Sequence, residues 1–158
     1  MTKVALVDPT DARILLALDD DPDASTLALA RTLGLARNTV QARLSRLGRN
    51  GALRSFSHRV DPAALGYPLT AFVYISVSQD LGDIGAEGLS EIPEVIEIHA
   101  ITGEADFLAK VVARDTEDLY RVTSAVLGVR GVVRTNTTIS MVETMPSRVR
   151  ALLETVVD

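Results

Sequence analysis

The side chains in this sequence with the most to do chemically are arginines. Between Ala24 and Val60 there is no Asp or Glu, and Arg31, Arg37, Arg43, Arg46, Arg49, Arg54 and Arg59 give the segment a charge of +7. The rest of the chain carries nine basic and 21 acidic side chains, a balance of −12 hidden inside the overall −5. Clustered charge acts over about one Debye length, ~8 Å, and not through the global sum. A basic segment on an acidic protein is therefore a local anion-binding surface, and duplex phosphate is the commonest partner for one. The missing carboxylates matter as much as the arginines, because one acid in such a surface would meet phosphate at close range with little screening.

A second group of polar residues lies far along the chain. Alone, Gly103-Glu104-Ala105-Asp106 reads as an ordinary tight turn with solvated acids. Near the C-terminus Asn136, Thr138 and Ser140 alternate with Thr137, Ile139 and Met141, which makes one face of a strand polar and small. That face is either plain solvent exposure or the lining of a pocket for a zwitterionic metabolite. In the pocket, Asp106 would accept from an ammonium while hydroxyls or backbone groups fix the carboxylate. The run Asp19-Asp20-Asp21 precedes a proline in a loop, where consecutive carboxylates cannot converge on a metal, and reads as a solvated turn.

Composition excludes much else. The chain has 158 residues, 47% apolar and 23% charged, which suits one ordinary globular domain or two small ones. Without cysteine there are no disulfides and no thiolate metal sites, and His58 and His99 are a poor supply for metal or triad chemistry. No catalytic residue, metal site or cofactor is expected. Aromatic residues make up 4%, too few for base-stacking platforms. No apolar run approaches the ~20 residues needed to span a bilayer, and the N-terminus meets Asp8 too soon for a signal-peptide core. A cytoplasmic location without membrane association is the expectation.

The elements that must position these residues follow from periodicity. Ile14, Leu15 and Leu18 mark a first helix, stopped before Pro22. A second begins after Ser25 or Thr26 and ends at Gly34, and a third follows almost at once. On the third, Ala36, Val40, Leu44 and Leu47 share a face, while Asn38, Gln41, Ala42, Ser45, Arg46 and Arg49 point away. Residues 53–60 read as a short hairpin or wing bearing Arg54, Ser57, His58 and Arg59. Two helices with a tight turn, the second polar and basic outward, then a basic wing, form a winged helix-turn-helix. Arginine, asparagine and glutamine on the third helix can read purine edges, whereas Arg54, His58 and Arg59 would hold phosphates.

The prolines and glycine of residues 61–68 mark a linker between a domain at 1–60 and a second at 69–158. The second reads as strand 69–78, a helix carrying Leu81, Ile84, Leu89 and Ile92, strands 95–101 and 107–113, a helix capped by Asp115, and a long strand 132–144. That βαββαβ order makes the chain α+β, with a ferredoxin-like sandwich after the winged helix-turn-helix. Residues 146–157 read as a terminal helix within the second domain.

Several motifs in order resemble the Lrp/AsnC, or feast/famine, transcription regulators. They are Val7-Asp8-Pro9-Thr10-Asp11-Ala12-Arg13-Ile14-Leu15, then Leu29-Ala30 with Leu33-Gly34-Leu35, and Thr39-Val40, Arg43-Leu44, Leu47, Gly51 and Leu53. Val60-Asp61-Pro62, Leu65-Gly66, Ile92-Pro93-Glu94-Val95, Thr102 to Asp106 and Gly131-Val132 continue the likeness. The resemblance implies a DNA-binding regulator whose C-terminal domain senses a ligand, pairs its sheets into homodimers, and often assembles these into octamers or related rings. An amino acid or small metabolite would bind between dimers. It assigns Asn38, Thr39, Gln41, Ala42, Arg43 and Arg46 to the recognition helix, which Arg37 opens and Arg49 closes. It assigns Gly103 to Asp106 with Thr138 and Ser140 to the effector site, which the polar strand face extends to Asn136. The chain departs from the family at Ala36, where a capping Ser is usual, at Ala42, commonly basic, and at Gly48 in the last turn of the third helix. Two rival readings follow: an enzyme like the siroheme decarboxylases, which resemble this family, or a ligand-sensing module with vestigial DNA binding.

Overall fold

The computed structural model describes residues 6–78 and 87–157, which divide into two compact units. In the first, α1 spans Pro9–Asp20, α2 Thr26–Leu33 and α3 Arg37–Arg49. Helix α1 starts at a reciprocal capping box: the Asp8 carboxylate accepts from the Asp11 N–H at 2.9 Å, and the Asp11 carboxylate accepts from the Asp8 N–H at 3.2 Å. Pro9 follows at a helix position that needs no N–H. Ser25 caps α2 through the Ala28 N–H at 3.1 Å, and Gly34, at φ 66°, turns the chain into α3. Helix α3 begins at Ala36 with no side-chain cap. Ile14, Leu29, Ala30 and Val40 form the buried centre of the three helices, with Leu18, Leu33, Leu35 and Leu44 packed around it.

The chain after α3 departs from the expected hairpin over residues 53–60. The N–H groups of Ala52 and Leu53 both return to the Leu47 carbonyl, at 3.1 and 3.3 Å, and Phe56–Arg59 closes into a 3-10 turn. A hairpin needs extended backbone on both sides of its turn, and here those groups complete the end of α3 or bond locally. The basic residues 54, 58 and 59 therefore sit on a coil and a 3-10 turn.

The terminal helix, α5, spans Arg150–Val157 and follows α4, Thr116–Leu127 of the second unit, in the chain. Residues 145–157 group with the first unit and not with the second, where the sequence placed them. Arg150 explains the docking: its Nη1 donates to the carboxylates of Asp19 and Asp20 on the last turn of α1, both at 2.8 Å. Those acids are thus partnered and not merely solvated. Their setting raises the Arg150 pKa, through Asp19 first and then Asp20.

In the second unit Asp61 caps a 3-10 turn over Pro62–Leu65, and a four-stranded sheet follows. Its strands are β1 Leu69–Val77, β2 Val95–Ala100, β3 Phe107–Ala113 and β4 Val132–Ile139. The order β2-β3-β1-β4, with every neighbour antiparallel, is the ferredoxin-like order. Alternation along β1 buries Ala71, Val73 and Ile75 on one face with Ala109, Val111 and Ala113 of β3. Helix α4, Thr116–Leu127, is capped by Asp115 and covers that face with Leu119, Val122 and Val126. Of the expected first helix of this unit, Leu81 and Ile84 lie outside the described residues; residues 87–90 are helical and Leu89 is buried.

Strand β4 is shorter than the run 132–144 predicts. Its last rung is the Ser140 N–H to the Thr70 carbonyl at 2.9 Å. Beyond this, β1 begins at Leu69 after Pro68, which has no N–H to offer, so residues 141–144 find no partner strand.

Candidate functional site

Helix α3 presents Arg37, Asn38, Thr39, Gln41, Ala42 and Arg49 to the outside. Its buried side, Val40 and Leu47, is set by the 3.6-residue repeat and packs in the first unit. Asn38, Thr39, Ala42, Arg43 and Arg46 line an open hollow of about 500 Å³ along the helix. The Thr26 hydroxyl at the start of α2 donates to the Gln41 amide oxygen at 3.3 Å, which ties the two helices together at that face.

Two of the expected contact residues have partners that sequence reasoning missed. Arg43 Nη1 donates to Asp8 Oδ2 at 2.6 Å and to Asp11 Oδ1 at 2.8 Å. Arg46 Nη2 donates to Asp11 Oδ2 and lies 3.7 Å from Asp8 Oδ2. Asp11 is fully buried, so its charge is stabilised by these two guanidinium groups and by its bond to the Asp8 N–H. The hydrogen bond from Arg43 holds the Asp8 carboxyl below its ordinary pKa, and the two carboxylates raise that of Arg43. The signal was present: acids three apart at a helix start form a capping box, and arginines three apart on α3 share a face. Arg37, Arg49 and Arg54 make no ion pair among the described residues. His58 closes the first unit on the 3-10 turn, with its N–H bonded to the Ser55 carbonyl at 3.1 Å, and Arg59 opens the second.

Some of the residues predicted for an effector lie at one end of the sheet. Phe107 of β3 faces Ile75 of β1, which brings the turn before β3 to the end of the β1–β4 pair. On the open face Tyr74 lies opposite Asn136 and Ser76 opposite Arg134. These four residues, with Ile101, Thr102, Glu104, Ala105 and Thr135, line a hollow of about 500 Å³. Gly103, at φ 124°, lets the turn close in a backbone region that favours glycine. Asp106 buttresses it: its N–H donates to the Ile75 carbonyl at 3.0 Å, and its Oδ2 accepts from the Val77 N–H at 2.8 Å.

Of the predicted effector residues, Glu104, Ala105 and Asn136 line this hollow, while Gly103 and Asp106 shape it. Thr138 and Ser140 do not border it. Thr138 lies opposite Phe72, two residues or about 7 Å further along β4, and Ser140 lies beyond the strand's end. Sequence reasoning missed Tyr74, Ser76, Ile101, Thr102, Arg134 and Thr135. Arg134, two residues before Asn136 on the same face, was the available signal. Its Nη2 has a long contact, 3.5 Å, with the Glu104 carbonyl. The hollow therefore offers a guanidinium, a carboxylate and several hydroxyls, which is the donor and acceptor set that a zwitterion requires. His99 stands on β2, exposed, 3.6 Å from Glu97. No group of residues fit to hold a metal occurs among the described residues, nor any helix long and apolar enough to cross a membrane.

This architecture recurs in known proteins. The family model of the Lrp/AsnC ligand binding domain matches residues 70–150, and that of a winged helix-turn-helix DNA-binding domain matches residues 7–54. The transcriptional regulator AldR of Mycolicibacterium smegmatis is 38% identical over 118 residues, 73% of this chain and 69% of that one. The regulator FL11 of Pyrococcus furiosus is 31% identical over 134 residues, 85% of this chain and 89% of that one. A feast or famine regulatory protein of M. tuberculosis, solved in complex with L-methionine, superposes with a TM-score of 0.80 at 28% identity. That match covers 90% of this chain and 97% of the other. With a DNA-binding helix-turn-helix and the ligand binding domain both matched in order, the chain belongs to the Lrp/AsnC family of DNA-binding transcriptional regulators.

Proposed function

We propose that this regulator binds duplex DNA through α3 and is tuned by an α-amino acid, or a similar small zwitterion, held in the hollow beside the turn 102–106. The observation that carries the reading is the placement of Arg134 and Glu104 on one hollow with Tyr74, Ser76, Thr102 and Asn136. Arg134 suits a carboxylate and the Glu104 side chain an ammonium, with hydroxyls and the Asn136 amide left to select the ligand's side chain. The methionine complex of the M. tuberculosis relative supports the ligand class. In the DNA-binding role, Asn38, Thr39, Gln41 and Ala42 face base edges, Arg37, Arg49 and Arg54 hold phosphate, and Arg43 and Arg46 border the same groove.

The protein acts as a homodimer or higher assembly, so that two copies of α3 enter successive major grooves. The ligand changes DNA affinity only to the extent that it prefers one assembly over another. The test is duplex binding at two salt concentrations, using DNA from upstream of its own gene, with and without each of the twenty amino acids. Salt-sensitive, sequence-preferring binding that one amino acid alters is the expected result. Binding that no amino acid alters would refute the ligand assignment, and absence of binding would refute the α3 assignment.

A further inference from the structure

The arginines of α3 and of the coil after it fall into two sets according to what faces them. Arg43 and Arg46 meet Asp8 and Asp11, two guanidinium groups against two carboxylates, so this cluster has no net charge. Arg37, Arg49 and Arg54 have no such partner among the described residues. Both sets belong to one basic stretch, yet they must behave differently toward DNA. A free guanidinium that reaches a phosphate releases a counterion and adds about 0.9 to the slope of log affinity against log salt. A guanidinium already neutralised by a carboxylate adds little to that slope.

The held pair keeps its directional chemistry. An arginine has five N–H donors; Arg43 spends Nη1 on the two carboxylates and Arg46 spends Nη2, so each keeps a second terminal nitrogen. Both border the hollow lined by Asn38, Thr39 and Ala42. A side chain already fixed by a buried acid loses less rotamer entropy when it contacts DNA.

We propose that Asp8 and Asp11 are positioning residues for DNA recognition. They neutralise and hold Arg43 and Arg46, so that this pair contributes sequence discrimination, while Arg37, Arg49 and Arg54 supply the salt-dependent affinity. The inference rests on the assignment of α3 to DNA. It makes two acids at the start of α1, its cap Asp8 and Asp11, outside the helix expected to touch DNA, determinants of specificity.

Asp8→Asn tests it with the fold kept, because asparagine caps a helix as well as aspartate does. The bond that the Asp11 N–H donates to the side-chain oxygen of residue 8 can persist while the charge facing Arg43 is lost. Asp23→Asn is the charge-matched control, an exposed acid of the same unit in no ion pair among the described residues. Full-length proteins would be titrated with a duplex that the wild type selects from a random pool, and with a scrambled duplex of equal length.

With one arginine unmasked, the Asp8→Asn slope is expected to steepen by about 0.9, which is about threefold more affinity lost between about 50 and 200 mM salt. Its preference for the selected duplex is expected to fall by about tenfold, the scale of one lost bidentate contact. Arg49→Ala should instead flatten the slope by about 0.9 and leave the preference in place. An Asp8→Asn slope and preference equal to those of Asp23→Asn would overturn the proposal, even with a lowered melting temperature, since the acids would then only stabilise the fold. A wild type that binds neither duplex in a salt-dependent way would overturn it together with the assignment of α3.

Discussion

Arg43 on α3 and Arg134 on β4 both line a hollow of their unit, and they meet opposite surroundings. Arg43 is fastened by two carboxylates, one of them fully buried. Arg134 has only the long contact to a backbone carbonyl at the turn and takes part in no ion pair among the described residues. The difference teaches that an arginine's count in the sequence does not fix its work. A fastened guanidinium supports a fold and presents oriented donors; an unfastened one keeps its charge for a ligand that arrives later.

The largest effect that would break this contrast belongs to Arg134. Charge-assisted hydrogen bonds are worth about 1.5–3 kcal/mol, so Arg134→Ala is expected to weaken binding of the effector amino acid by about 10- to 100-fold, measured by calorimetry. The side chain is exposed and makes one weak contact, so the melting temperature should move little. A normal ligand affinity would remove Arg134 from the site.

Arg43→Ala should show the reverse pattern. It strips a partner from buried Asp11, whose other arginine remains, and is expected to destabilise the first unit by about 2 kcal/mol in denaturant titration. A change under about 0.5 kcal/mol would mean that Arg46 and the backbone N–H suffice to hold Asp11. The same network has a signature in pH. The Asp8 carboxyl has its pKa lowered on folding, chiefly by the Arg43 hydrogen bond. Its contribution is then complete above the ordinary Asp value of about 3.9 and is lost as pH falls through the lower, folded-state value. Acid melting of the first unit should therefore flatten in Asp8→Asn; an unchanged profile would place the acid sensitivity elsewhere.

The two sites also differ in how far the sequence could be read. Elements of the first unit announce themselves locally: Asp8-Pro9 with Asp11, Ser25 and Gly34 are start and stop signals, and the spacing of Val40, Leu44 and Leu47 marks the inner side of α3, while Ala36, expected on that face, is the exposed N-cap. The outward residues of α3 follow from the same wheel. What the wheel cannot show is a contact between helices, so it gives no partner to Asp8 and Asp11, more than 30 positions before their arginines. The hollow proposed for the ligand is harder because its walls come from β1, the turn before β3, and β4. Which residue of β1 faces which of β4 depends on register: the polar alternation of Asn136, Thr138 and Ser140 gives their shared face, but not that Asn136 borders the hollow opposite Tyr74 while Thr138 lies opposite Phe72. The hairpin expected at residues 53–60 is absent for another reason: the N–H groups of residues 52 and 53 are used at the end of α3.

Smaller effects would sharpen the account of α3 itself. Gly48 lies within the helix with open space where a Cβ would stand, so Gly48→Ala is expected to stabilise the first unit by about 1 kcal/mol. No gain in melting temperature would show that the last turn of α3 is frayed before the substitution.

The smallest expected change has the most local cause. Ala36 occupies the N-cap of α3 at φ −72° and ψ 140°, the extended conformation that a cap requires, but contributes no side-chain acceptor. Ala36→Ser supplies one for the N–H of Asn38 or Thr39 without moving the backbone, and is expected to add about 0.5–1 kcal/mol. The measurement that gives this substitution its value is DNA affinity beside stability. Helix N-termini bind phosphate through the same N–H groups that a serine cap would occupy. If DNA contact runs through the side chains of α3, the affinity of Ala36→Ser stays within about twofold of wild type while its melting temperature rises. A larger loss of affinity with the same gain in stability would show that phosphate had been taking the place of the missing cap.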